Sequence, residues 1–123
     1  MELNFARQAK EKTVWLRLSG DGLSGSGGEM EAVAANTQDA AREKHVPELT
    51  YEKDGLHVQI GSVEHPMLAE HHIEWILVQT MDGLLIKSLS PGDAPKAVFP
   101  VRKEEVVAVY EHCNLHGLWK KDA

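Results

Sequence analysis

The sequence predicts an all-β protein built as a small antiparallel sandwich, and three observations carry that prediction. From residue 46 onward, turn signals recur about every ten residues. The segments between them are short and rich in β-branched and aromatic residues, which fit a pleated, half-buried surface. No strand alternates with a long helical pattern, as a parallel α/β sheet would require.

The elements follow in chain order. "KTVWLRL" (12–18) alternates Val14 and Leu16 with Trp15 and Arg17, the period of a short strand. "SGDGLSGSGG" (19–28) is the densest turn signal, because glycine and serine favour bends over helix or strand interiors. "EMEAVAANTQDAAREKHVP" reads as holding a helix of one or two turns, with Thr37 as N-cap and Asp39 in the first turn. Pro47 stops any helix from passing Val46. A boundary is placed near residue 38, so that 1–38 is a small N-terminal region and 39–123 the main domain.

"ELTYEKDGLHVQIGSV" (48–63) reads as two strands joined at Asp54-Gly55, and "IEWILVQTMDGLLIKSL" (73–89) as two more joined at Asp82-Gly83. Near-continuous apolarity from Ile73 to Val78 predicts a strand covered on both faces. "SPGDAP" (90–95) is a further turn, followed by the strand-like runs "KAVFPV" and "EEVVAVYEH". The expectation is six or so strands after residue 46.

Composition excludes several classes. The chain has 123 residues, enough for one domain of ordinary size with a small appendage, and its 42% apolar content allows a genuine core. No apolar run approaches the roughly 20 residues of a membrane helix, and no secretory leader is recognisable, so a cytoplasmic, membrane-free protein is expected. A net charge of −6 leaves no basic stripe for nucleic acid. The chain has one cysteine and therefore no intramolecular disulfide.

Seven histidines beside that cysteine are the unusual feature. His45, His65, His71, His72, Cys113 and His116 fall at strand ends or in connections, where side chains distant in sequence can converge on a rigid scaffold. "HPMLAEHH" places His65 and His71 in one short connection, and "CNLH" places Cys113 and His116 three residues apart in one turn. His57 and His112 fall inside predicted strands and are assigned to the surface. Such a thiol–imidazole set suits zinc, copper or a thiol nucleophile. Copper lacks a methionine after His116, where Gly117, Leu118 and Trp119 stand instead.

Three motifs in order, "EKHVP" (43–47), "HPMLAEHHIEWI" (65–76) and "CNLHGLW" (113–119), resemble the iron-centre signature of the superoxide reductases, the neelaredoxin and desulfoferrodoxin group. "DAAREKHVP" and "SPGDAPKAVF" extend the resemblance over most of 38–119. It implies a seven-stranded immunoglobulin-like sandwich holding one non-haem iron. It further implies four equatorial imidazoles, His45, His65, His71 and His116, with the Cys113 thiolate axial and a sixth position open in the ferrous state. Glu43 would occupy that position after oxidation, and Lys44 would attract superoxide and help deliver protons.

The implied reaction is one-electron reduction of superoxide to hydrogen peroxide, with re-reduction by rubredoxin or a similar small carrier. A homodimer or homotetramer is expected. Residues 1–38 contain no cysteine, so the four-cysteine iron centre of many relatives cannot form there. The region resembles the metal-free version of that small domain, with strands such as "TVWLRL" and "MEAVA", and is read as a structural or dimerisation element. His72 stands where the family often has tyrosine, and His71 is preferred as ligand because it follows His65 by the family's interval and because alternation would put His71, Ile73 and Trp75 on one face. The alternative function is a non-catalytic iron or metal-binding electron carrier on the same sandwich.

Overall fold

The computed structural model describes residues 2–20, 24–25, 28–38 and 44–123. The chain divides into two compact units, Met1–Ala34 and Ala35–Ala123. All sheets are antiparallel, and no helix among the described residues is long and apolar enough to cross a membrane.

The N-terminal unit is a four-stranded sheet of β1 (Asn4–Gln8), β2 (Trp15–Arg17), β3 (Ser24–Gly25) and β4 (Gly28–Val33), in the order β2-β1-β4-β3. The sequence pattern found β2 but not β1. In β1 the buried residues Phe5 and Ala6 are consecutive, so no alternation betrays the strand. The "MEAVA" run, a strand by the family resemblance, lies in β4 up to Val33, paired with β1 through Arg7↔Glu31 and Phe5↔Val33. Thr37 and Gln38 are not helical, and Asp39 lies outside the described residues.

The second unit contains seven strands among the described residues: β5 (Pro47–Glu52), β6 (Gly55–Ile60), β7 (Ile73–Thr80), β8 (Leu84–Ser88), β9 (Lys96–Phe99), β10 (Val106–Cys113) and β11 (Gly117–Asp122). They form a four-stranded sheet, β11-β10-β7-β8, and a three-stranded sheet, β5-β6-β9. This is the expected immunoglobulin-like sandwich. Both predicted hairpins are present. The first turns at Lys53–Asp54, one residue earlier than read, with Glu52 opposite Gly55. The second closes on Thr80, whose Oγ1 accepts hydrogen bonds from the Asp82 and Gly83 amides.

The core lies between the two sheets. Leu56, Val58 and Ile60 alternate along β6 and meet Ile73, Ile76 and Val78 of β7 and Val109 of β10. Each fully buried aliphatic side chain contributes about 1.5–3 kcal/mol of transfer free energy. Leu77, on the other face of β7, is also buried, as the continuous apolar run predicts. Cys113 belongs to this core at the end of β10, so the thiol is fixed by the same packing that holds the sandwich together.

Candidate metal centre

Three connections at one end of the sandwich supply the site. The first is the segment entering β5, which carries Lys44 and His45. Its course depends on Gly61, the residue after β6: φ is +82°, and a Cβ there would lie 2.3 Å from the Lys44 carbonyl oxygen. Only glycine tolerates both the positive φ and that approach.

The second connection runs from β6 to β7 and carries His65 and His71. Leu68 and His71 exchange backbone hydrogen bonds of 2.9 and 3.1 Å, which closes a tight loop. The Met67 carbonyl accepts from the Gly92 amide at 2.9 Å, tying the loop to the "SPGDAP" turn. The third is the turn after β10, Asn114–Leu115–His116, closed by the pair Cys113↔Gly117 with Gly117 at φ +84°. A glycine with positive φ after a three-residue loop is a common way to complete a β-hairpin.

These connections bring one donor atom from each of His45, His65, His71 and Cys113 within 4.8 Å of one another. His116 stands beside them: its Nδ1 is 3.9 Å from the Cys113 sulfur, and its ring centroid is 5.1 Å from those of His45 and His71. His65 Nε2 is 3.8 Å from the same sulfur. Two such donors on a common ion, with bonds of about 2.0–2.3 Å, can be at most about 4.4 Å apart. The sulfur–nitrogen distances to His65 and His116 fall inside that limit, and no spacing among the other donors exceeds it by more than a few tenths of an ångström.

The donor chemistry fits a metal. Imidazole nitrogens and a thiolate together suit iron, zinc or copper rather than calcium or magnesium. His65 Nδ1 lies 2.7 Å from the Pro66 carbonyl oxygen, an acceptor, so Nδ1 carries the proton and Nε2 presents its lone pair toward the cluster. Cys113, His45 and His65 are 0%, 1% and 4% exposed, so these polar groups have given up water and need a compensating partner. His71 and Lys44 are half-buried and His116 is exposed, which leaves the cluster a solvent-facing side.

Several side chains around the centre were not singled out by the sequence. Trp119 stacks on His45 with centroids 4.7 Å apart and planes 16° apart, and its Nε1 donates to the His116 carbonyl at 3.0 Å. Asn114 bonds across to the His71 loop. Neither carries a periodic signal, although Asn114 lies inside the "CNLH" motif itself.

The remaining candidates fall elsewhere. His57 bonds Asp54 Oδ1 at 2.7 Å, away from the cluster, and this bond, with the charge of His57, holds the Asp54 carboxyl below its ordinary range. His112 is a correction: expected at the surface, it is buried, with Nδ1 2.7 Å from Glu74 Oε1 and its ring stacked on Trp75. The alternation argument for His71 also fails, although His71 itself is in the cluster. The β7–β10 register slips between His112↔Trp75 and Cys113↔Ile73, which leaves Glu74 as the extra residue; Ile73 enters the core while Trp75 stacks on His112. His72 is outside the cluster, and its Nδ1 is buried without a hydrogen-bond partner. Glu43 lies outside the described residues.

Comparison with known proteins agrees with this geometry. Residues 37–122 match the family model described as Desulfoferrodoxin. A desulfoferrodoxin of Clostridium acetobutylicum is 45% identical over 112 residues, 89% of this chain and 88% of that protein. One from Nitratidesulfovibrio vulgaris is 45% identical over 109 residues, covering 88% of this chain and 85% of its own length. The crystal structure of the superoxide reductase from Treponema pallidum superposes with a TM-score of 0.78 at 32% identity, covering 98% of both chains. With most of its length matched in sequence and its fold shared, the chain belongs to the desulfoferrodoxin family.

Proposed function

We propose that this chain is a superoxide reductase, in which His45, His65, His71, His116 and Cys113 hold one iron. The single observation that carries the reading is the convergence of imidazole and thiol donors from three connections on one half-open point. Iron held there supplies a one-electron couple, ferrous to ferric, and a sulfur ligand makes the metal a better electron donor. Superoxide takes up one electron and two protons and leaves as hydrogen peroxide; no dioxygen is formed.

The protein's own groups handle the anion, the protons and the water. Lys44 adjoins His45 and supplies local positive charge, which a chain of net charge −6 needs if it is to capture an anion. As an ammonium group it can also give up a proton toward hydrogen peroxide. Glu43, next to Lys44 in sequence, would supply a carboxylate to the iron once it is oxidised. The Trp119 ring covers one face of His45 and keeps water from that side. His65 is held in one tautomer by the Pro66 carbonyl, so its Nε2 is always ready to ligate.

Residues 39–123 are the catalytic domain in this reading, and 1–38 a structural or dimerisation element. The chain works in the cytoplasm as a homodimer or homotetramer, and rubredoxin or a similar small carrier returns the electron.

Anaerobic mixing of the reduced, iron-loaded protein with superoxide tests the proposal. One peroxide per superoxide, no evolved dioxygen and a ferric spectrum are expected. Slow reaction without peroxide would instead identify a non-catalytic electron carrier.

A further inference from the structure

Asn114 lies between two of the proposed ligands, Cys113 and His116, and all of its hydrogen bonds described above cross to the loop that carries a third. Its Oδ1 accepts from the His72 amide at 2.9 Å, its Nδ2 donates to the Glu70 carbonyl at 3.1 Å, and its own amide donates to the His72 carbonyl at 3.1 Å. These partners are the residues immediately before and after His71. The two segments are 42 residues apart in sequence, and the adjoining Cys113↔Ile73 pair is the last rung of the β7–β10 ladder.

The ladder slips just before that rung and ends with it, and past it the His71 loop and the Cys113 turn are joined by the backbone bond from the Asn114 amide to the His72 carbonyl. The carboxamide continues the connection. It offers one acceptor and one donor in a fixed plane, matched to an amide on one side of His71 and a carbonyl on the other. Alanine offers neither, and an ionised aspartate lacks the donor.

We infer that Asn114 is a positioning residue that sets the placement of His71 relative to Cys113, and thereby the affinity and electronic character of the metal site. The inference rests on the metal-site reading above. Groups that orient ligands from outside the coordination sphere typically change metal affinity about 10–100-fold when removed.

The test titrates cobalt(II) into the full, metal-free chain and follows the sulfur-to-metal absorption, alongside amide hydrogen exchange of the unloaded protein. For Asn114→Ala the expectation is cobalt binding weakened about 10–100-fold, a shifted absorption maximum, and lost protection of the His72 amide at unchanged global stability. Asn114→Asp keeps the acceptor but loses the donor to Glu70. It should retain the His72 protection and still weaken cobalt binding, and it serves as the comparison if the alanine variant does not fold.

Either variant binding cobalt within twofold of the parent, with the same absorption maximum, would overturn the role of Asn114. If the parent itself gives no sulfur-to-cobalt band, the metal-site reading fails, and this inference with it.

Discussion

A methyl group at residue 61 would enter space already filled by the segment that carries Lys44 and His45. The alanine Cβ would lie 2.3 Å from the Lys44 carbonyl oxygen, 2.6 Å from the Val63 carbonyl oxygen and 2.9 Å from the Lys44 Cβ, whereas ordinary contacts begin near 3.4 Å. The first two obstacles are backbone, so no rotamer change relieves them, and the Lys44 segment must move by about 1 Å; misplacement on that scale can cost about 100-fold in rate. The positive φ of +82° adds about 1–2 kcal/mol for any L-residue, and the overpacking roughly 1–3 kcal/mol more. Gly61→Ala should therefore lose stability in urea unfolding and, per folded molecule, consume superoxide about 100-fold more slowly in stopped-flow mixing. Gly55→Ala is the control. Its Cβ would lie 2.1 Å from the Phe99 carbonyl oxygen at φ +130°, but at the other end of β6, about 20 Å away. It should be destabilised while its folded fraction reacts at the parental rate. Equal slowing of the two variants, or a parental rate for folded Gly61→Ala, would refute the reasoning.

Two further outcomes follow from the same geometry. Lys44→Ala should slow superoxide capture about tenfold and flatten its dependence on ionic strength while leaving iron content unchanged; an unaltered second-order rate would remove the steering role. Asp54 titrates below the ordinary carboxylate range because of His57, so the stability it contributes is present above about pH 4 and is lost as the pH falls through its depressed folded value. His57→Ala should return the Asp54 midpoint, followed by carboxyl NMR, to the ordinary range.

The sandwich was legible because its second unit obeys local rules. Leu56, Val58 and Ile60 alternate, and glycine-containing turns separate the runs, so pattern alone located β5 to β8 within a residue or two. β1 was missed because its two buried residues are adjacent, and β4 was legible only through the family resemblance because Glu and Ala favour helix until a partner strand outweighs that preference. The donor residues were visible as an unusual set of types at close spacing, and the family resemblance selected among the histidines. The surroundings were not visible. His112 reads as an ordinary strand histidine until the slip at Glu74 brings that carboxylate to it. Trp119 shows its stacking on His45 only once both connections are placed in space. The importance of Gly61 depends on an approach by Lys44 from the segment entering β5, which no local pattern encodes.

X-ray absorption at the iron edge of the loaded protein, compared with Cys113→Ser, tests the central claim most directly. The account predicts one sulfur and several imidazole nitrogens as neighbours of the metal, and a visible sulfur-to-ferric band that disappears with the thiol. A parental iron shell without sulfur, or a band that survives in Cys113→Ser, would contradict it.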